Sequence, residues 1–230
     1  KTTVTYMVRA MLGAAGMGCG LMGTVEYDVG AGRAITANNT TPDAVRLAEM
    51  MRQMRENGLQ AAVMECSSHG LDQDRTAGIR FTGAAFTNLT GDHLDYHGNR
   101  DNYLQAKGKL FESLDEEAIA ILNGQDEASV YLRKLCRGRV WRFGIDTETE
   151  ITAYVKSMGI RGCEFDLCCL GEKKQVRSPL IGLHNVSNCL AAAGLAKAAG
   201  AGLDAIVEAI EGFPGVPGRL ESVDCGQGFS

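Results

Sequence analysis

The chain has 230 residues, of which 45% are hydrophobic and 22% are charged, and its formal net charge is −5 at pH 7. This composition is typical of an ordinary globular protein, and the length allows one sizeable core with room for a subdomain. The negative charge argues against a general nucleic-acid or anionic-membrane partner. A phosphate ligand stays possible, because it needs only a few local cations and helix N-termini.

Eight cysteines raise the question of a disulfide or zinc protein. The sequence contains no CxxC pair, and the one cluster, Cys163 with Cys168 and Cys169, has no histidine nearby. We therefore expect free, reduced thiols in a cytoplasmic protein. No apolar segment approaches membrane-spanning length and no signal peptide is visible.

The first predicted element is an amphipathic helix at the start of the chain. Its apolar positions, at helical spacing, are Val4, Met7, Val8, Met11 and Leu12. Lys1-Thr2-Thr3 stands at the N-terminus of this helix and matches the end of a phosphate-binding loop, whose lysine meets the β/γ-phosphates and whose next hydroxyl meets magnesium. The match is short, and the glycines of such a loop would precede Lys1. Because the sequence starts inside a predicted helix and closes without a terminating element, we expect a piece of a larger protein.

Three short continuous apolar runs, at residues 61–64, 84–86 and 119–122, predict strands buried on both faces, as in a parallel sheet. A helix is predicted over residues 42–57, with the Thr41 hydroxyl as its cap and Pro42 at its first position. Its inward residues are predicted to be Leu47, Ala48, Met51 and Met54. The alternation of helices and strands predicts a doubly wound α/β/α domain with a mostly parallel sheet.

The next helix, over residues 99–114, carries a lysine in an unusual place. Its apolar face is predicted to hold Tyr103, Ala106, Leu110, Phe111 and Leu114. Lys107 lies four residues from both Tyr103 and Phe111, so it points with the apolar stripe, whereas Lys109 falls on the wet face. A buried ammonium is costly unless it is paired or neutralised. Lys107 is therefore either a functional group or a lysine whose stem packs while its head reaches water.

The hydrophobic pattern of the sequence changes in the second half of the chain. From about residue 139 to about 180, alternation of apolar and polar residues predicts antiparallel hairpins in a small sheet. Two helices are predicted to follow, over residues 185–199 and 203–211, and then an extended segment over residues 216–221.

Polar residues follow the predicted strands directly. Glu65 follows the first, Asn88, Asp92 and His93 follow the second, and Asn123 follows the third. Because ligands of open α/β sheets bind beyond the carboxyl ends of strands, Glu65, His93 and the inward Lys107 predict a functional site there. His97 is expected to orient a turn, and His69 to pack at the start of a helix.

Eight strings form a recognisable set in chain order: KTT, NNTTPDA, MECSSHGLDQDR, FTNLTGDHLDYHG, AKGKLF, ILNGQD, LIGLHNVSN and VPGRLE. Together they resemble the Mur ligases, in particular the branch that adds the third residue to the peptide of UDP-MurNAc-L-Ala-D-Glu. The resemblance implies a P-loop-type three-layer α/β/α fold with a small antiparallel subdomain. Residues 1–223 would form the family's central ATP-binding domain and residues 224–230 would begin a linker, with the N-terminal uridine-nucleotide domain and the C-terminal domain outside the sequence.

The resemblance also implies roles for residues on the nucleotide and substrate sides. Lys1, Thr2 and Thr3 would end the ATP phosphate loop, and Arg219 would lie near the phosphates. Asn185 and Asn188 would lie near adenine. The residues that would grip the muramoyl-peptide are Asn39, Thr40, Thr41, Ser67, Gln73 and Arg75.

The metal roles follow from the same resemblance. Thr2 and Glu65 would hold one Mg²⁺ ion and His93 a second. Lys107 would be carbamylated, so that its amine carries carbon dioxide and becomes an anionic ligand of the second ion. Glu65, His93 and Lys107 would then be the catalytic residues, in a monomeric enzyme whose partners are UDP-MurNAc-dipeptide and a free amino acid.

Two alternatives stay open. A folylpolyglutamate synthase or another ligase of the superfamily would use similar chemistry, although the Ser67, Gln73 and Arg75 pattern argues against a pteridine-glutamate substrate. The chain could also be a binding module that is inactive by itself. A serine hydrolase is disfavoured, because the G-x-S-x-G motif is absent.

Overall fold

The computed structural model describes residues 1–89 and 94–219. The helices within those residues are α1 (Thr2–Ala14), α2 (Ala44–Glu56), α3 (Ser68–Asp72), α4 (Leu94–His97), α5 (Arg100–Glu112), α6 (Ala128–Leu135), α7 (Leu183–Ala198) and α8 (Leu203–Glu211). The strands are β1 (Cys19–Met22), β2 (Glu26–Asp28), β3 (Ile35–Thr36), β4 (Ala61–Met64), β5 (Gly83–Phe86), β6 (Ile119–Asn123), β7 (Arg139–Ile145), β8 (Ile151–Gly159), β9 (Gly162–Cys169) and β10 (Glu172–Ser178).

The strands form two sheets. The small sheet has the order β3-β2-β1-β4, and the larger sheet has the order β10-β9-β8-β7-β6-β5. In the small sheet β1 pairs in parallel with β4 and antiparallel with β2. In the larger sheet β5 to β8 are parallel, and β8 to β10 form antiparallel hairpins. The predicted α/β class with a mostly parallel sheet is confirmed.

The position of the small sheet differs from the prediction. The three predicted strands exist as β4, β5 and β6, but β4 belongs to the small sheet. The hairpins of residues 139–180 exist too, yet they extend the larger sheet, because β7 pairs in parallel with both β6 and β8. The separate small sheet instead comes from β1 to β4, of which the sequence pattern predicted only β4. The domain boundaries stay predictions.

The main core lies between the larger sheet and the helices α1, α7 and α8, which pack against one another. All five predicted apolar residues of α1 are buried, as are Leu203, Ile206 and Ile210 of α8. The predicted apolar face of α1 is therefore confirmed. In α8 the sequence predicts Leu203, Ile206, Val207 and Ile210 to face inward, and of these Val207 is only half-buried. None of the helices in the described residues combines the length and apolarity that a bilayer span requires.

The start of α2 was predicted wrongly. The helix begins at Ala44, and the side chain of Asp43 accepts the capping hydrogen bond from the Arg46 backbone N–H at 2.9 Å. The Thr41 hydroxyl instead donates to the backbone oxygen of Glu65 at 2.8 Å, so a tertiary contact takes the group that local capping would use. Ala48, predicted inward, is exposed.

The end of the described chain also differs from the prediction. Val216 and Arg219 are joined by an isolated antiparallel bridge around a turn, with Gly218 at a φ of 72°. The expected extended course is therefore absent over residues 216–219, and residues 220–221 lie outside the described residues.

Candidate active site

A cleft of about 530 Å³ opens beside the carboxyl ends of β1 and β4. Eleven of the predicted site residues line it. The lining residues are Lys1, Thr2, Thr3, Thr24, Asn39, Thr40, Thr41, Glu65, Ser67, His69, Gln73, Arg75 and Arg219. The structure thus brings together three separate predicted strings and the far end of the described chain.

Glu65 is the central carboxylate of this cleft. It follows β4 directly, and its backbone N–H donates to the Met22 oxygen at 2.9 Å, which continues the β1–β4 pairing beyond the strands. The residue is only 2% exposed. The Thr2 hydroxyl donates to Glu65 Oε2 at 3.1 Å, so the start of α1 is joined to the end of β4. Burial with hydrogen-bonded partners is how proteins accommodate an inward carboxylate.

Thr24 is a site residue that the sequence reasoning missed. Its backbone N–H donates to Glu65 Oε1 at 2.8 Å, and its hydroxyl donates to Glu65 Oε2 at 3.1 Å. Gly23 makes this approach possible, because a Cβ there would lie 2.6 Å from Glu65 Oε1. The available signal was a short apolar run, Leu21-Met22, that ends in a glycine and a hydroxyl residue.

Three cationic side chains, those of Lys1, Arg75 and Arg219, also line the cleft. Lys107 does not line the cleft itself, but it lies within electrostatic range of the Lys1 backbone nitrogen at the start of α1.

The predicted geometry of α5 is confirmed. All five residues of its predicted apolar face are buried, and Asn99 caps the helix by accepting from the Asn102 N–H at 2.8 Å. Lys107 is half-buried, and its ammonium lies 4.8 Å from the centre of the Tyr103 ring. Lys109 is exposed and forms ion pairs with Asp72 and Asp74.

The substrate-side residues are linked to one another. The Ser67 N–H donates to the Thr41 hydroxyl at 2.9 Å, and the Ser67 hydroxyl caps α3 by accepting from the Gly70 N–H at 3.0 Å. The Arg75 guanidinium donates to the Thr41 backbone oxygen at 2.8 Å and to the Gln73 side chain at 2.6 Å. The loop that follows β3 and the helix that follows β4 therefore form one wall.

Other predicted residues are not brought to the cleft. Asn185 is 7% exposed and donates to the Ile181 oxygen at 2.9 Å, and Asn188 donates to Asn185 at 3.2 Å. Asn123, the last residue of β6, donates to the Thr87 oxygen just beyond β5 at 2.7 Å. His93 lies outside the described residues.

Two further groups bear on the chemistry of the cleft. His69, which lines it, packs against Tyr96 with ring centres 4.0 Å apart and the rings tilted by 42°. Burial, with a smaller contribution from Glu65, raises the pKa of the neighbouring Cys66 to about 12. Because a thiolate is the reactive form, Cys66 is a poor nucleophile at neutral pH. The described cysteines are all free thiols.

The residues of the cleft fit a hard divalent cation. Glu65 and Thr2 present oxygen atoms side by side, and oxygen is the ligand type that Mg²⁺ prefers. Within residues 1–89 and 94–219, no three His, Cys, Asp or Glu side chains gather into a metal cluster. A cation here would therefore depend on water or on a bound ligand to complete its coordination.

These features define an α/β ligand-binding domain with an acidic and cationic cleft at the ends of two parallel strands. The family model described as the Mur ligase middle domain matches residues 1–196. The chain belongs to the Mur ligase family.

Individual relatives of the chain are named for a particular ligase reaction. The chain is 40% identical over 235 residues to the UDP-N-acetylmuramoyl-L-alanyl-D-glutamate--2,6-diaminopimelate ligase of Bacillus licheniformis, a match that covers 100% of this chain and 48% of the relative. It is 41% identical over 227 residues to the ligase of the same name from Thermosynechococcus vestitus, covering 97% and 45%. The chain thus spans about half the length of these relatives.

A solved structure supports the same relationship. A UDP-N-acetylmuramoyl-L-alanyl-D-glutamate--2,6-diaminopimelate ligase superposes with a TM-score of 0.84 at 28% sequence identity, over 97% of this chain and 46% of that chain.

Proposed function

We propose that the chain is the central part of an ATP-dependent amide ligase that adds the third amino acid to UDP-MurNAc-L-Ala-D-Glu in peptidoglycan precursor synthesis. The observation that carries the proposal is the convergence of the phosphate-loop residues, Glu65 and the substrate strings on one cleft. The names of the relatives favour 2,6-diaminopimelate as the added residue. We place the enzyme in the cytoplasm and infer a monomer.

The nucleotide side of the proposed site is formed by α1 and by the turn at Arg219. Lys1 and Arg219 line the cleft and would bind the phosphates of ATP, with Thr3 beside them. Thr2 and Glu65 would hold one Mg²⁺ ion. Asn185 and Asn188 are assigned to adenine by resemblance alone, since neither lines the cleft.

A second Mg²⁺ ion would be held by His93 and by Lys107 as its carbamate. Support for Lys107 comes from its half-buried position on α5, where its ammonium lies 4.8 Å from the centre of the Tyr103 ring. Carbamylation removes the cost of a half-buried ammonium by converting it into an anion that a cation can neutralise. Lys107 would then take part in the site as an anionic metal ligand and not as a cation.

The muramoyl-peptide would bind along the other wall of the cleft. The residues assigned to it are Asn39, Thr40, Thr41, Ser67, Gln73 and Arg75. Arg75 is held by Gln73 and by the Thr41 backbone, so its charge has a fixed position from which to bind a carboxylate of the substrate.

The reaction follows from the poor reactivity of a carboxylate toward amines. ATP would phosphorylate the D-glutamyl carboxylate, the amine of the incoming amino acid would attack the acyl phosphate, and phosphate would leave. Lys1 and Arg219 offset the negative charge that gathers on the transferring phosphoryl group. The Mg²⁺ ions, when bound, supply further charge stabilisation. The mechanism needs no side-chain nucleophile, in agreement with the protonated Cys66.

The test is a chimera in which this chain replaces the matched region of the Bacillus licheniformis relative. We expect it to form the diaminopimelate product from UDP-MurNAc-L-Ala-D-Glu and ATP with release of ADP and phosphate, and we expect Glu65→Gln in the same chimera to abolish product. The chain alone is expected to be inactive. A chimera that folds cooperatively and turns over a pteridine-glutamate instead would support the folate alternative. ATP binding without turnover of any substrate would support a binding module.

A further inference from the structure

We infer that Thr24 is a positioning residue that couples the carboxylate of Glu65 to the substrate-side loop through Thr40. The inference rests on the proposed function, in which Glu65 holds a metal ion and Thr40 contacts the muramoyl-peptide. No motif of the sequence points to Thr24, which stands 41 residues before its carboxylate partner.

Thr24 fixes both oxygens of Glu65 at once. Its backbone N–H binds Oε1 at 2.8 Å and its hydroxyl binds Oε2 at 3.1 Å, so rotation of the carboxylate would break one bond or the other. Metal ligands are commonly oriented by such outer partners, whose loss weakens metal binding. The arrangement therefore sets the direction in which Glu65 presents its remaining lone pairs.

The same hydroxyl reaches the substrate side. Thr24 Oγ1 lies 3.1 Å from Thr40 Oγ1. An ionised carboxylate can only accept hydrogen bonds, and a hydroxyl has one proton to give. Because Thr24 gives its proton to Glu65, Thr40 must be the donor to Thr24. The chain of hydrogen bonds thus runs from Thr40 through Thr24 to Glu65, and a shift of the substrate-side loop is transmitted to the carboxylate.

The experiment measures the affinity of the chain for Mn²⁺ alone, by electron paramagnetic resonance titration. Thr24→Val keeps the shape and the backbone N–H and removes the hydroxyl, and we expect it to weaken Mn²⁺ binding about tenfold. Thr24→Ser restores the hydroxyl and should restore the affinity. Thr36→Val, at an exposed threonine of β3 that does not line the cleft, is the matched control and should leave the affinity unchanged.

Coupling is tested with Thr40→Val. We expect it to weaken Mn²⁺ binding about two- to threefold in the unmodified chain and to have no effect in the Thr24→Val background, because its influence passes through Thr24. If Thr24 had only a structural role, Thr40→Val would still weaken Mn²⁺ binding in the Thr24→Val background. Circular dichroism and thermal melting of each variant show that it is folded.

The outcomes separate the inference from the proposed function. Unchanged Mn²⁺ affinity in Thr24→Val, together with loss of binding in Glu65→Gln, overturns the positioning role and leaves the proposed metal site intact. Additive effects of the two threonine variants overturn the coupling. Failure of the unmodified chain to bind Mn²⁺, or retained binding in Glu65→Gln, overturns the metal role of Glu65 and this inference with it.

Discussion

The small sheet and the far end of the larger sheet use their strands in opposite ways. β1 and β4 have four residues each, and polar groups of the cleft follow them at once. β8 to β10 have seven to nine residues, contribute nothing to the cleft, and bury Phe165, Leu167 and Val176 completely. Their polar residues form exposed ion pairs such as Lys173 with Asp166. The short strands are therefore followed by residues of the cleft, whereas the long strands contribute buried apolar residues to the core.

The largest effect is expected from the two lysines of α5, of which one belongs to the proposed site and the other does not. Lys107→Ala in the chimera should lower ligation by about 10³-fold, because a bound metal supplies several kcal/mol of transition-state stabilisation. Lys109→Ala, on the exposed face two residues away, should leave ligation nearly unchanged. Initial rates of product formation check both variants, and short carboxylic acids should partly restore the activity of Lys107→Ala. Full activity in Lys107→Ala would remove this residue from the site.

The far end of the larger sheet should respond in stability and not in metal binding. Phe165 is 0% exposed, so Phe165→Ala should lower the free energy of unfolding by about 3–5 kcal/mol. Met158→Ala, at a side chain 46% exposed on β8, should cost less than about 0.5 kcal/mol. Chemical denaturation measures the loss. Weaker Mn²⁺ binding by folded Phe165→Ala protein would show that the two regions are not independent.

A pair of glycines gives a smaller and more local test. An Ala Cβ at Gly23 would lie 2.6 Å from Glu65 Oε1, so Gly23→Ala should displace the carboxylate and weaken Mn²⁺ binding about tenfold. Gly13→Ala, which meets nothing within 4 Å in α1, should stabilise the fold by about 0.5–1 kcal/mol. Mn²⁺ titration and thermal melting of the two variants provide the comparison. Equal Mn²⁺ affinity in both variants would mean that the cleft tolerates movement of Glu65.

The smallest effect is expected from an ion pair between β10 and α7. Lys197 lies 2.6 Å from Glu172, whose side chain is 55% exposed. Exposed pairs contribute little, so Lys197→Met should change the free energy of unfolding by less than about 1 kcal/mol. Urea denaturation at low and high salt is the measurement. A loss as large as that of Phe165→Ala would contradict the assignment of stability to the apolar core.

Sequence reasoning found those parts of the site whose signals are local. The apolar face of α5 placed Lys107 inward because helical periodicity is set within a few residues. The continuous apolar run at β4 placed Glu65 at a strand end, and the structure has it there. The residues of the substrate-side wall were predicted from the family motifs, because each motif is contiguous in the sequence.

What the sequence could not show depends on pairing between distant segments. Thr24 meets Glu65 only because Met22 pairs with Met64 in the parallel register of β1 and β4. Thr41 matches the pattern of a helix cap, yet its hydroxyl is taken by the Glu65 backbone across 24 residues. In both cases a long-range hydrogen bond decides the role of a threonine, and local propensity contains no information about that bond.

The sequence distances within the cleft have a consequence for folding. Thr2 and Glu65 are 63 residues apart, and Thr24 and Glu65 are 41 apart, whereas β8 and β9 are joined by two residues. Closing long loops costs entropy before any contact is gained, so the hairpins should form early and the cleft late. Trp141, the single tryptophan, lies buried in β7 of the larger sheet and belongs to the main core. In refolding experiments its fluorescence should recover before the capacity to bind Mn²⁺, and simultaneous recovery would show that both sheets form in one step. Metal capture by this protein would then mark the completion of folding.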